Sequence, residues 1–131
     1  FEDDFPLEDE TVDIVTRGLW GVVNEGGGTA HRAAIPGFDV CGKTGTAQVI
    51  ARDRTVSTER KSEFEDNAWF VGFAPRAAPE IAGAAFVEHG GHGGSAAAPI
   101  VHEMFQAFYN KKKPKEVPQL ALKQPVAQAT Q

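Results

Sequence analysis

Apolar positions along the chain change period twice. Over residues 9–25 they fall at Val12, Val15, Leu19, Val22 and Val23, the spacing of a helix with one apolar face. Glu8, Asp9 and Glu10 lie near the positive end of its dipole. The glycines at 26–28 predict its stop, because glycine takes left-handed conformations without strain. From 38 to 50 the chain reads as extended, with a glycine and then β-branched residues following the Lys43–Thr44 pair. Residues 67–75, N-A-W-F-V-G-F-A-P, alternate bulky and small residues and end in proline, and 81–88, I-A-G-A-A-F-V-E, form a second short apolar run. Pro75 and Pro79 mark the turn between them, so the pair reads as a hairpin.

Helical spacing returns after a run of glycine and histidine. Over 96–109, Ile100, Met104 and Phe108 form one stripe with Val101, Phe105 and Tyr109 beside it, and Ser95 is placed to cap the helix. Residues 89–94 predict a mobile loop. Residues 51–66 are charged and aperiodic, and read as an exposed, partly disordered excursion. The stretch 111–131 opens on Lys111, Lys112, Lys113 and Lys115 and continues rich in Pro, Gln and Ala, which predicts a disordered basic tail. The order helix, three strands, helix predicts an α/β (α+β) segment: an antiparallel three-stranded sheet portion flanked by N- and C-terminal helices.

Composition narrows the partners. A formal charge of -5 argues against nucleic acid. No apolar run is long enough to cross a bilayer. The 131 residues carry enough apolar content for a core. Three strands and two helices alone would nevertheless leave one sheet face poorly covered. Cys41, the single cysteine, permits no intramolecular disulfide and reads as a small buried apolar residue, with a thiolate beside Lys43 as the other reading. His89 and His92 have H-x-x-H spacing with Glu88 and Glu103 not far off in sequence, but a glycine-rich loop does not fix ligand directions, and no metal site is assigned.

The chemistry concentrates in residues 42–48, G-K-T-G-T-A-Q, which fit two motifs. Gly37 to Thr44 satisfies the phosphate-loop pattern of Gly, four residues, Gly, Lys and Thr; Lys43 to Thr46 reads K-T-G-T, a motif of serine penicillin-binding enzymes. A phosphate loop requires a buried strand leading in and a helix opening at Lys-Thr. The polar flank 31–36 with Pro36, and Gly45 directly after Thr44, favour neither. As a strand, the same run puts Lys43 and Gly45 on one face and Thr44 and Thr46 on the other. Such an edge strand would receive a peptide-like ligand as an added strand.

Three blocks in order, at 42–48, 67–75 and 88–99 (E-H-G-G-H-G-G-S-A-A-A-P), resemble the C-terminal part of the transpeptidase domain of class B penicillin-binding proteins, of the elongation type. The resemblance covers roughly 10–110. It implies a serine D,D-transpeptidase that cross-links peptidoglycan stem peptides, needs no cofactor and is trapped by β-lactams. In that family Lys43 would supply positive charge and a proton-network partner beside the nucleophile. Thr44 and Thr46 would bind the substrate or drug carboxylate, Gly45 would keep the strand clear for the acyl chain, and the Thr46 N–H would form half of the oxyanion hole. The family's Ser-x-x-Lys and Ser-x-Asn are missing: Ser57, Ser62 and Ser95 are followed by the wrong residues.

The expectation is therefore residues 1–110 as one portion of a longer transpeptidase, inactive alone. The implied partners are the remainder of the domain and a glycan-polymerising membrane protein. The implied location is the periplasmic face of the bacterial inner membrane, with an anchor upstream. A non-catalytic β-lactam sensor is the alternative from another class, and a phosphate-loop nucleotide binder is the third.

Overall fold

The computed structural model describes residues 6–48 and 66–112. Helix α1 spans Asp9–Asn24, β1 Cys41–Ala47, β2 Asn67–Ala74, β3 Ile81–Val87, α2 Gly93–Ala96 and α3 Ala98–Lys112, with a 3-10 turn at His31–Ala33 between α1 and β1. The readings of 51–65 and of the tail beyond 112 lie outside the described residues. The strands form one antiparallel sheet in the order β1-β2-β3.

Register fixes what each sheet face carries. Gly42, Thr44 and Thr46 pair with Gly72, Phe70 and Ala68, and Phe70 pairs onward with Ala85. This face is covered by α2 and α3: Ala68, Phe70, Ala85, Val101 and Phe105 are buried together in the core. Space is tight there. A Cβ at Gly42 would lie 2.3 Å from Phe70 Cζ, and one at Gly83 would lie 3.0 Å from the Phe105 ring. The opposite face is covered by α1 at the Cys41 end of β1 and open beyond it: Trp69, Val71 and Phe86 are 42%, 48% and 47% exposed, and the Trp69 and Phe86 rings meet each other at 4.5 Å.

Burial selects between the two stripes of the C-terminal helix. Ala98, Val101 and Phe105 are buried, whereas Ile100 and Met104 are exposed. The helical stretch is also not continuous. Ser95 is not the cap of α3: it lies inside α2, whose N-cap is His92, and its hydroxyl donates back to His92 O at 3.0 Å. The glycine-rich segment is thus partly helical rather than a loop to its end. Gly91 (φ 70) and His89 (φ 53) make the left-handed turn that leads into it, and the His89 N–H donates to Asn67 Oδ1.

Two further differences concern the approach to β1. The strand begins at Cys41, not at 38, because Ile35 and Phe38 bridge across a tight turn at Gly37, whose φ is 78. Tyr109 of α3 clamps that turn, donating to Gly37 O at 2.9 Å and stacking on Phe38 at 4.7 Å. Helix α1 does end at the glycine run, but the glycines with left-handed φ are 37 and 91, not 26–28. Gly28 is needed for close approach instead: a Cβ there would lie 2.3 Å from Val22 O. Asn24 then ties the helix end to the strand entrance, donating to Trp20 O and to Val40 O, each at 2.9 Å. Only Val23 of α1 is buried; Leu7, Val12, Ile14 and Val15 stay exposed.

Candidate functional site

Lys43, Thr44, Gly45 and Thr46 all lie within β1, and β1 is an edge strand: among the described residues no strand pairs with its outer side. The phosphate-loop reading fails on this point, because a strand runs where a helix would have to open. Alternation sends Lys43 and Gly45 to the open sheet face and Thr44 and Thr46 to the covered one. The Lys43 ammonium is exposed and donates to Thr44 O at 2.8 Å. Gly45 lies across from Trp69, and a Cβ on it would come within 3.2 Å of the Trp69 Cβ.

The other side of the strand is built by parts distant in sequence. Thr29, at the end of the glycine turn, shares a hydrogen bond of 3.0 Å between its hydroxyl and that of Thr44. Helix α2 comes down on the same spot. A Cβ at Gly93 would fall 2.1 Å from Trp69 O and 2.7 Å from Gly45 O, and one at Gly94 would fall 2.0 Å from Thr29 O. No other residue type fits this contact without moving backbone. The glycines that read as loop are there because helix and strand touch main chain to main chain.

Between these parts lies a hollow of about 530 Å³ lined by Thr44, Thr46, Thr29, Arg32, His31 and His92, with Gly93, Gly94 and Ser95. Two threonines of the motif therefore share one concavity, and Lys43 stands apart on the opposite side of the strand. Thr29, His31 and Arg32 carry no periodic or motif signal as site residues. They reach the hollow because the chain after α1 brings Thr29 against Thr44 and the 3-10 turn against α2 and α3, and Arg32 is held there by Nη1 donating to Ser95 O at 3.2 Å.

Cys41 is buried and shares the Lys43 side by alternation. Its Sγ lies 3.7 Å from Thr16 O, and burial pushes the thiol pKa up, with Asp39 adding to the rise and Arg76 opposing it. The buried apolar reading describes this residue, and a thiolate does not. Among the described residues no group of three or more His, Cys, Asp or Glu is arranged to hold a metal ion, and no helix is long and apolar enough to cross a membrane.

An open-edged strand bearing K-T-G-T, with α2 packed on its threonine side and α1 against its Cys41 end, defines a class. The chain belongs to the penicillin binding protein transpeptidase domain family, whose model matches residues 2–106. The chain is 34% identical over 102 residues to the peptidoglycan D,D-transpeptidase MrdA of Haemophilus influenzae, a match covering 75% of this chain and 16% of that protein. It is 48% identical over 73 residues to MrdA of Acinetobacter baumannii, covering 53% of this chain and 11% of the relative. Among solved structures, Pseudomonas aeruginosa PBP2 in complex with WCK 5153 superposes with a TM-score of 0.67 at 33% identity, over 91% of this chain and 24% of that one. The chain thus spans less than a quarter of each of these proteins.

Proposed function

We propose that this chain is the C-terminal portion of the catalytic domain of an elongation-type peptidoglycan D,D-transpeptidase. One observation carries the reading: an edge strand that no other strand pairs on its outer side among the described residues, presenting a lysine on one face and two threonine hydroxyls into a hollow on the other. Two further observations support a missing remainder. Trp69, Val71 and Phe86 form an uncovered apolar sheet face, and Val12 and Val15 lie exposed on one side of α1, where a folded domain would bury such groups.

In this reading the remainder of the domain covers the open face and brings a serine nucleophile beside Lys43. The serine oxygen bonds to the carbonyl carbon of the penultimate D-alanine, and the peptide bond breaks. The terminal D-alanine leaves with the proton taken from the serine. An amine of a second stem peptide then attacks the ester: its nitrogen bonds to the carbonyl carbon, the ester bond breaks, and the proton the amine gives up restores the serine hydroxyl. Lys43 holds positive charge near the nucleophile and favours its deprotonation. Thr44 and Thr46 donate to the donor's carboxylate, and the Thr46 N–H stabilises the tetrahedral oxyanion, a contribution on the order of 3 kcal/mol. Gly45 leaves room for the acyl chain along the edge. A β-lactam carbonyl enters the same path and leaves the serine acylated.

Peptidoglycan stem peptides and β-lactams are the ligands this assigns, with a glycan-polymerising membrane protein as partner and the periplasmic face of the bacterial inner membrane as location. No cofactor takes part. The test is acylation of the longer protein by a fluorescent penicillin. Labelling of the wild type and its loss in Lys43→Ala are expected, and unchanged labelling of Lys43→Ala removes the site assignment.

A further inference from the structure

Arg32 sits in the hollow without a part in the acyl-transfer steps above. Among the described residues, the lining of that hollow includes one guanidinium and two imidazoles, from Arg32, His31 and His92, and no carboxylate. Its hydroxyl donors are Thr44, Thr46 and Thr29, while the Ser95 hydroxyl is engaged with His92 O. Whichever of Thr29 and Thr44 donates to the other, the accepting hydroxyl keeps its own hydrogen for a ligand. The chemistry of such a lining suits an anion.

The positive charge for that anion has two possible sources, and geometry separates them. Lys43 alternates onto the other face of β1, and its ammonium donates to Thr44 O. Arg32 lies on the hydroxyl side. Its bond to Ser95 O takes one of five guanidinium N–H groups and holds the head against α2 within the hollow. A planar guanidinium can grip a carboxylate with two parallel hydrogen bonds, which an ammonium cannot.

We propose that Arg32 is a specificity-determining residue of this site: it pairs with the carboxylate of the peptide donor, or of a β-lactam, that Thr44 and Thr46 contact, and Thr29 orients the Thr44 hydroxyl toward it. The assignment rests on the transpeptidase reading. Thr29 is in this scheme a positioning residue, acting through Thr44.

The experiment compares acylation rate constants of the full-length transpeptidase for a fluorescent penicillin and for the methyl ester of its ring carboxylate. Arg32→Gln is expected to slow the free acid about 10-fold and to leave the ester within about 2-fold, because the ester offers no charge to pair. Arg32→Lys should restore part of the preference for the acid, and Thr29→Val should reduce it about 3-fold. Equal slowing of acid and ester by Arg32→Gln, or slowing of neither, overturns the proposal while leaving the transpeptidase reading intact. Failure of both compounds to acylate the wild type defeats both. The melting temperature of each variant checks the fold. Should Arg32→Gln not fold, the acid-to-ester ratio of Arg32→Lys decides: a ratio equal to that of the wild type refutes the role of the guanidinium fork.

Discussion

The hydroxyls of Thr29 and Thr44 meet at 3.0 Å across fifteen positions of sequence, and Gly94 of α2 lies directly over that contact. A turn, an edge strand and a short helix are thereby joined at one point. The motif threonine nearest the lysine is held by a residue outside the motif.

Gly94→Ala should break this junction. The new Cβ would fall 2.0 Å from Thr29 O, so the turn must retreat and the hydroxyl pair must part. Acylation of the full-length protein by a labelled penicillin is expected to slow at least 10-fold, with a melting temperature lowered by overpacking worth about 1–3 kcal/mol. Wild-type acylation in a folded variant would show that the contact does not organise the site.

Phe105 is the central weight of the covered face. Its side chain is fully buried against the sheet, beside Gly83. Phe105→Ala is expected to destabilise the domain by about 3–5 kcal/mol, read from urea unfolding. Exposed Met104, one position earlier, should tolerate alanine within about 0.5 kcal/mol if nothing covers it in the longer protein.

Cys41 gives a pH dependence of known sign. Burial raises the folded thiol's pKa, so between the unfolded and folded values the native state holds more protons than the unfolded one. This contribution is complete below the ordinary thiol range and is lost as pH climbs through the raised value. Iodoacetamide labelling of the native protein should therefore be slow near neutral pH, and Cys41→Ala should flatten the stability decline above the ordinary thiol range. Rapid labelling at neutral pH would contradict the burial of this residue.

The open sheet face supplies the fourth prediction. If the remainder of a transpeptidase domain covers Trp69, Val71 and Phe86, then Phe86→Ser in the longer protein should cost about 2 kcal/mol or more in stability. A change below about 0.5 kcal/mol would mean that this face stays in water.

Much of the fold was legible in the sequence because its elements announce themselves by period. The hairpin from β2 to β3 shows alternation closed by prolines, and K-T-G-T shows extended chain interrupted by one glycine. Boundaries set by contact were harder. Gly37 and the Tyr109 clamp delay the start of β1, and neither has a local signature. The stripe of α3 that is buried, Ala98, Val101 and Phe105, differs from its equally apolar neighbour, Ile100 and Met104, only by which one meets the sheet. The hollow was legible in part. Its threonines belong to a motif, but Thr29, His31 and Arg32 join them through a chain reversal that no spacing rule encodes. Gly93 and Gly94 look like loop residues for the same reason: what demands glycine there is another segment's carbonyl oxygens.

The division of charge across β1, with Lys43 on one side and Arg32 on the other, has a geometric consequence. A ribbon-like guest laid on this border would meet a different cation above and below, so turning it over would exchange the two and spoil both pairings. Which face a guest turns inward would thus be decided by β1 and the turn before it, ahead of any reaction.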